Sequence, residues 1–195
     1  MPPLTRTQKR QVATREKIFR VAMELFTKNG FENTTVSEIT EAADIGKGTF
    51  FTYFPTKEAI FRQPGELAME NMTLTAEQGL AAGKPIAKIL KSVLTASADW
   101  HEENKTITRQ MSKSNFSFST DTSSNKGNLL TLLVRLIAEG QKSGEFNKKV
   151  NAQDAALVLA GTYFTVITMW SHSEGRALRE WLESSVDVIL KGLSA

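Results

Sequence analysis

Residues 35–58, reading TVSEITEAADIGKGTFFTYFPTKE, constrain this chain more than any other stretch. Thr35 and Glu38 stand three apart, the spacing at which a side chain at each end of a first helical turn satisfies an orphan backbone donor of the other. Val36, Ile39, Ala42 and Ala43 then recur at helical spacing and give a short helix one apolar face. Asp44-Ile45-Gly46 stops it, with Gly46 expected to take the unusual backbone angles of a tight turn. Lys47 to Tyr53 makes a second short helix, and Pro55-Thr56-Lys57-Glu58 restarts the chain as a third. A helix, a short turn and a helix is the geometry that lays a recognition helix in the major groove of DNA.

The charge distribution agrees. The 195 residues sum to +3. Residues 1–62 hold ten Lys/Arg (Arg6, Lys9, Arg10, Arg15, Lys17, Arg20, Lys28, Lys47, Lys57, Arg62) against seven acids, while residues 63–195 sum to zero. The first twenty residues carry six bases and one acid, Glu16. A basic arm of that kind neutralises phosphates and makes DNA binding salt-dependent, although a solvated tail has the same composition.

The segment Leu25-Phe26, Gly30-Phe31, Thr34-Thr35-Val36, Glu38-Ile39, Ala42-Ala43, Lys47-Gly48-Thr49-Phe50, Tyr53-Phe54, Lys57-Glu58 resembles the TetR family of bacterial transcriptional regulators. The resemblance covers about residues 12–62 as motif; the remainder agrees in length and helical character. It implies an N-terminal DNA-binding domain (residues 1–55) and a C-terminal ligand-binding and dimerisation domain (residues 56–195). Residues expected to meet DNA are Thr35, Lys47, Gly48, Thr49, Tyr53 and Lys57. Lys47 brings charge to a phosphate or guanine edge, Gly48 permits close backbone approach, and Thr49 offers a hydroxyl and a methyl. Tyr53 is expected on phosphate or base, and Thr35 and Lys57 at helix N-termini that can hold phosphate. Two departures stand out. Asp44-Ile45-Gly46 replaces a glycine, an aliphatic residue and often a serine, and Phe51 sits where tyrosine is frequent.

Beyond the motif the chain reads as all-α, with about nine helices. The first runs from about Val12 to Asn29, with Ile18, Val21, Ala22, Leu25 and Phe26 on one face and Gly30 as a left-handed cap. A fourth should start near Thr56, with Pro64-Gly65 kinking it. One helix is expected over about 85–103 and a weaker one to about Lys113. The serine-rich run 114–128 reads as a loop, and Leu129 to Lys142 as helix. The span 152–170 is apolar nearly all round, and 176–193 carries one apolar stripe. A helix apolar on every side must be covered on every side. These two are therefore expected to pair with their copies in a homodimer, setting two recognition helices roughly 34 Å apart on a palindromic operator.

The resemblance also implies a small-molecule inducer in the second half, and candidates for its pocket are Trp100, His101, Met111, Phe116, Phe118, Tyr163 and Trp170. Catalytic chemistry has little material. The chain has no cysteine and two histidines, His101 and His172. His101-Glu102-Glu103 diverge around a helix and make a poor metal cluster. Ile45-Gly46-Lys47-Gly48-Thr49 lacks the earlier glycine and the hydroxyl after lysine that a phosphate loop needs. No enzyme activity, cofactor or metal is expected. Met1 to Thr5 has no apolar signal core, and Ala155 to Trp170 is too short and too rich in threonine for a good membrane span, so a cytoplasmic protein is expected. The alternatives are an architectural or division-linked DNA-binding dimer without inducer, an activator in place of a repressor, and, more remotely, a helical enzyme.

Overall fold

The computed structural model describes residues 5–113 and 129–193, which form ten α-helices, one 3-10 turn and no strand. The chain divides into two compact units, one up to Gln63 and one from Pro64 onward.

In the first unit, α1 (Arg6–Asn29) is capped by a Thr5–Gln8 box, the Thr5 amide donating to Gln8 Oε1 at 2.9 Å. It starts well before the expected Val12, so the basic arm is itself helical from Arg6. Ile18, Ala22 and Phe26 bury one stripe of α1. Gly30 ends it at φ 84°, and Phe31 folds back edge-on to Phe26 with ring centroids 5.0 Å apart. The 3-10 turn Glu58–Phe61 adds Phe61 to this ring cluster, 4.9 Å from Phe31. The unit therefore runs past the expected 55/56 boundary, because Ala59, Ile60 and Phe61 are buried with it.

The second unit begins two residues into α4 (Arg62–Ala81). Pro64 falls in the first turn of that helix, where a missing N–H sacrifices no intrahelical bond, so proline is tolerated there and the expected interior kink has no cause. The helix expected over 85–103 is two, α5 (Ile86–Thr95) and α6 (Ala98–Glu103), followed by α7 (Lys105–Lys113), α8 (Leu129–Ser143), α9 (Ala152–Ser171) and α10 (Leu178–Leu193). Burial explains the order. Leu90, Val93 and Leu94 of α5, Leu133, Leu136 and Ile137 of α8, and Ala156 and Leu159 of α9 share one core with Leu178, Leu182 and Val186 of α10. Glu145, far along the chain, caps α5 by accepting from the Ile86 and Ala87 amides at 2.7 and 2.8 Å. Close approach also needs glycine at two places. A Cβ at Gly140 would lie 2.3 Å from the Phe146 ring, and one at Gly79 would lie 2.7 Å from Ile89.

Among the described residues α9 alone is long and apolar enough to cross a membrane. Its inner side, with Ala156, Leu159 and Tyr163, is covered by α7, α8 and α10, as in a core helix. Its other side is not covered. Leu157, Val158 and Met169 are exposed and share one stripe with Gly161, Thr165 and Thr168. On α10 the exposed Val188 lies among Ser184, Ser185 and Gly192. A Cβ at Gly161 or Gly192 would meet nothing within 4 Å.

Candidate DNA-reading surface and ligand site

The helix-turn-helix is built by local hydrogen bonding. In α2 (Val36–Ala42), the Thr35 hydroxyl accepts from the Glu38 amide at 3.2 Å, and Glu38 Oε2 accepts from the Thr35 amide at 2.7 Å. That bonding, from the Thr35 backbone first and its hydroxyl second, lowers the Glu38 pKa below the usual carboxylate range. The stop after α2 differs from expectation at one residue. Gly46 has an ordinary φ of −75°, and the left-handed residue is Asp44 at φ 50°. The Asp44 amide donates to Glu41 O at 3.0 Å and the Ile45 amide to Thr40 O at 3.0 Å, the paired bonds of a Schellman ending. Glycine is unstrained at that position and aspartate is tolerated there.

In α3 (Lys47–Tyr53), Phe50 is fully buried and Phe54 just beyond it is 1% exposed, with the Arg15 guanidinium 5.8 Å above the Phe54 ring. These two phenylalanines set which side of α3 faces out. Lys47, Gly48, Thr49, Phe51 and Thr52 are exposed and Tyr53 is half-buried. Four of the six sequence candidates (Lys47, Gly48, Thr49, Tyr53) thus lie on one short helix. Gly48 is informative because nothing in the fold asks for it. It has no positive φ, and a Cβ there would meet nothing within 4 Å. Phe51, already noted for standing where tyrosine is frequent, is exposed on this helix, and so is Thr52, one turn beyond Gly48, which the sequence candidates do not include.

Thr35 and Lys57 are placed differently. Both the hydroxyl and the amide of Thr35 are engaged by Glu38, so that helix end already holds a carboxylate. Lys57 donates to Phe31 O at 2.7 Å and Thr34 O at 2.9 Å, with its ammonium 4.1 Å above the Phe31 ring. It ties the α1–α2 connection to the start of the 3-10 turn, with one of three donors left over.

In the second unit Trp100, His101, Met111, Tyr163 and Trp170 fall along a seam where α6 and α7 meet α9, while Phe116 and Phe118 lie outside the described residues. The seam holds a few satisfied polar groups. His101 Nδ1 lies 3.0 Å from the Thr108 hydroxyl, and Trp100 packs edge-on to its ring. The Tyr163 and Ser97 hydroxyls are 2.6 Å apart, both buried. Trp170 Nε1 donates to Arg176 O at 3.1 Å, and the Lys105 ammonium sits 4.9 Å above its ring. Burial lowers the His101 pKa to about 4 and raises that of Tyr163 to about 12, so both are neutral at pH 7. The seam is closed. A surface depression of about 540 Å³ in this unit lies elsewhere, lined by residues such as Leu80, Pro85, Ile86 and Glu145. Among the described residues no group of His, Asp and Glu could hold a metal ion.

A capped two-helix reading element on its own small core, followed by a larger all-helical unit, defines a helix-turn-helix DNA-binding protein with a second, helical domain. The chain belongs to the tetR family of bacterial regulatory proteins, whose model matches residues 18–63; a model described as the YsiA-like protein C-terminal region matches residues 84–192. It is a DNA-binding transcriptional regulator. Curated relatives include the HTH-type transcriptional regulator YhgD of Bacillus subtilis, 23% identical and covering 91% of this chain and 95% of its own. The fatty acid metabolism regulator protein of the same organism is 22% identical, with 91% and 94% covered. Among solved structures, FadR of Thermus thermophilus, a TetR-family transcriptional repressor in complex with lauroyl-CoA, is 28% identical. It aligns with a TM-score of 0.73 over 93% of this chain and 95% of that one.

Proposed function

We propose that this regulator is a cytoplasmic, homodimeric repressor that reads a palindromic operator with α3 and leaves it when a largely apolar ligand of the fatty-acyl class enters the seam between α6, α7 and α9. The observation that carries the DNA half is the exposed α3 surface of Lys47, Gly48, Thr49 and Tyr53, in which Gly48 serves no purpose inside the fold. Lys47 supplies charge-assisted bonds to phosphate or guanine, Thr49 a hydroxyl and methyl for a base edge, and Tyr53 a phenol at the rim. Thr35 and Lys57 hold the reading helices in place, Lys57 with one donor free for a phosphate.

The dimer is supported by the uncovered stripes of α9 and α10, where Gly161 and Gly192 leave room for the backbone of a second helix. The ligand class is supported by the lauroyl-CoA complex of the Thermus relative and by the stearoyl-CoA complex of FadR from Bacillus subtilis. His101, Thr108, Ser97 and Tyr163 would supply the few neutral hydrogen-bonding groups that orient such a molecule in an apolar seat. The ligand must favour one conformer over another, and only that differential affinity can shift the DNA-binding equilibrium. The boundary between the units, in the first turn of α4 at Gln63/Pro64, supports a pivot there for such a shift.

The test is selection of genomic fragments by the purified protein at about 0.15 M salt, beside a Lys47→Ala/Tyr53→Ala control, where phosphate-only binding is suppressed. One enriched palindrome, lost in the control and released by lauroyl-CoA, is the expected result. Equal enrichment by the control overturns the operator reading. An enriched palindrome that no acyl-CoA releases overturns the ligand class.

A further inference from the structure

We propose that α9 pairs with its own copy in antiparallel register about position 163, so that Asp154 meets His172 of the partner subunit at both ends of the interface and proton binding tightens the dimer; this rests on the dimer reading above. The uncovered side of α9 recurs every three or four residues, and its members stand at equal distances either side of 163. Gly161 and Thr165 lie two residues from that point, Leu157 and Met169 six, and Asp154 and His172 nine. A second copy turned end for end therefore sets each member against its counterpart. Small residues meet at the centre, where a Cβ at Gly161 would have open space and helix axes can close to about 8 Å. Leu157, 63% exposed, is set against Met169 of the partner subunit, and both leave water.

The ends select this register. Asp154 is exposed in the first turn of α9, and His172 is the exposed C-cap, with φ −101° and ψ −3° keeping it on the same side. Neither the carboxylate nor the imidazole has a partner among the described residues. At 1.5 Å per residue they stand about 27 Å apart and cannot meet within one chain. A parallel alignment would set carboxylate on carboxylate and imidazole on imidazole. The antiparallel one makes two acid–base pairs, and the ~20° crossing of helix bundles keeps both ends in reach. Neighbouring charges are engaged elsewhere. From α7, Lys105 donates to Ser173 O and lies 3.7 Å from Glu174, while Arg109 donates to Ser171 O. On α10, Asp187 pairs with Lys91, Glu180 with Arg176, and Arg179 with Asp99 beside Glu183. Lys191 is exposed near the end of α10, and Lys148 and Lys149 precede α9. Histidine is the side chain that ordinarily changes charge between pH 5 and 8. The chain's other histidine, His101, is kept out of that change by burial, its pKa lowered to about 4.

A chain without cysteine makes the register directly readable. Val158 and Thr168 lie five residues either side of 163 and so face each other across the interface. Under mild oxidation, a mixture of the Val158→Cys and Thr168→Cys proteins should give a linked heterodimer, and neither protein alone a linked homodimer. For wild type, sedimentation equilibrium should show the dimer dissociation constant rising roughly 10-fold from about pH 5.5 to 8, about threefold for each of two rim pairs. His172→Gln and Asp154→Asn should each abolish that rise. Asp154→Lys/His172→Asp restores an opposite-charge pair without histidine and should give a tight dimer at both pH values. A wild-type dimer indifferent to pH, or a linked Val158→Cys homodimer, overturns the pairing and leaves the dimer reading standing. A monomer at every pH sinks the dimer reading and the pairing with it.

Discussion

Gly48→Ala is a substitution for which stability and function should move in opposite directions. Gly48 is the second residue of α3, is exposed, and would place its Cβ in open space. Within the chain alanine therefore meets no neighbour and has the better helix propensity, a gain of about 0.5–1 kcal/mol. For a chain of this length 1 kcal/mol moves the melting temperature by about 2–4 °C, so the variant should melt some 1–4 °C above wild type. On DNA the same methyl group occupies the surface that must approach the groove. Overpacking a close contact costs about 1–3 kcal/mol, so affinity for the enriched duplex should fall roughly 5- to 150-fold. Thermal unfolding by circular dichroism and anisotropy titration on one preparation measure both. A lower melting temperature would mean that Gly48 is needed inside the fold. A higher one with unchanged affinity would mean that no DNA atom comes near it, and the close-approach argument would be wrong.

Four further outcomes are expected. His101 has a folded pKa lowered to about 4 by burial, so between there and its unfolded value near 6.5 only the unfolded chain binds the proton. Stability should hold above pH 6.5 and fall by up to about 3 kcal/mol as pH drops toward 4, and His101→Gln should flatten that part of a urea-melt pH series. Gly140→Ala would drive a Cβ to 2.3 Å from the Phe146 ring, so chemical denaturation should show a loss of about 1–3 kcal/mol, while Gly161→Ala, with open space, should leave monomer packing intact. Val158→Glu/Val188→Glu places charge on the uncovered stripes of α9 and α10, and light scattering should report a monomer with weakened palindrome binding; a persistent dimer would refute that interface. Asp44→Gly relieves the one non-glycine residue with positive φ among the described residues and should raise the melting temperature by the equivalent of about 0.5–1 kcal/mol.

Some of this could be read from residue order because the interactions are short. The Thr35–Glu38 box, the helix ending at Gly30 and the apolar stripe of α1 each depend on neighbours within about one or two turns. The box and the stop at Gly30 appear, Gly30 with positive φ but extended ψ, and Ile18, Ala22 and Phe26 of the stripe are buried while Val21 and Leu25 are half-buried. The all-α class followed from the same local signals. Where two local solutions competed, sequence chose wrongly. A glycine and an aspartate two positions apart could each take the left-handed turn angle, and the turn uses Asp44. Pro64 reads as an interior kink in a helix started near Thr56, whereas a 3-10 turn occupies Glu58–Phe61 and α4 starts at Arg62.

Contacts between segments distant along the chain were not legible at all. That Glu145 caps α5, that Ser97 meets Tyr163, and that Lys57 spends two donors on the carbonyls of Phe31 and Thr34 depends on how elements pack, and spacing in the sequence carries no trace of it. The sequence alone determined that a DNA-reading helix pair exists and which residues compose it, since capping and periodicity act over a few residues. Only the tertiary structure decided which candidates face outward, because burial of Phe50 and Phe54 orients α3 and two backbone carbonyls draw Lys57 inward.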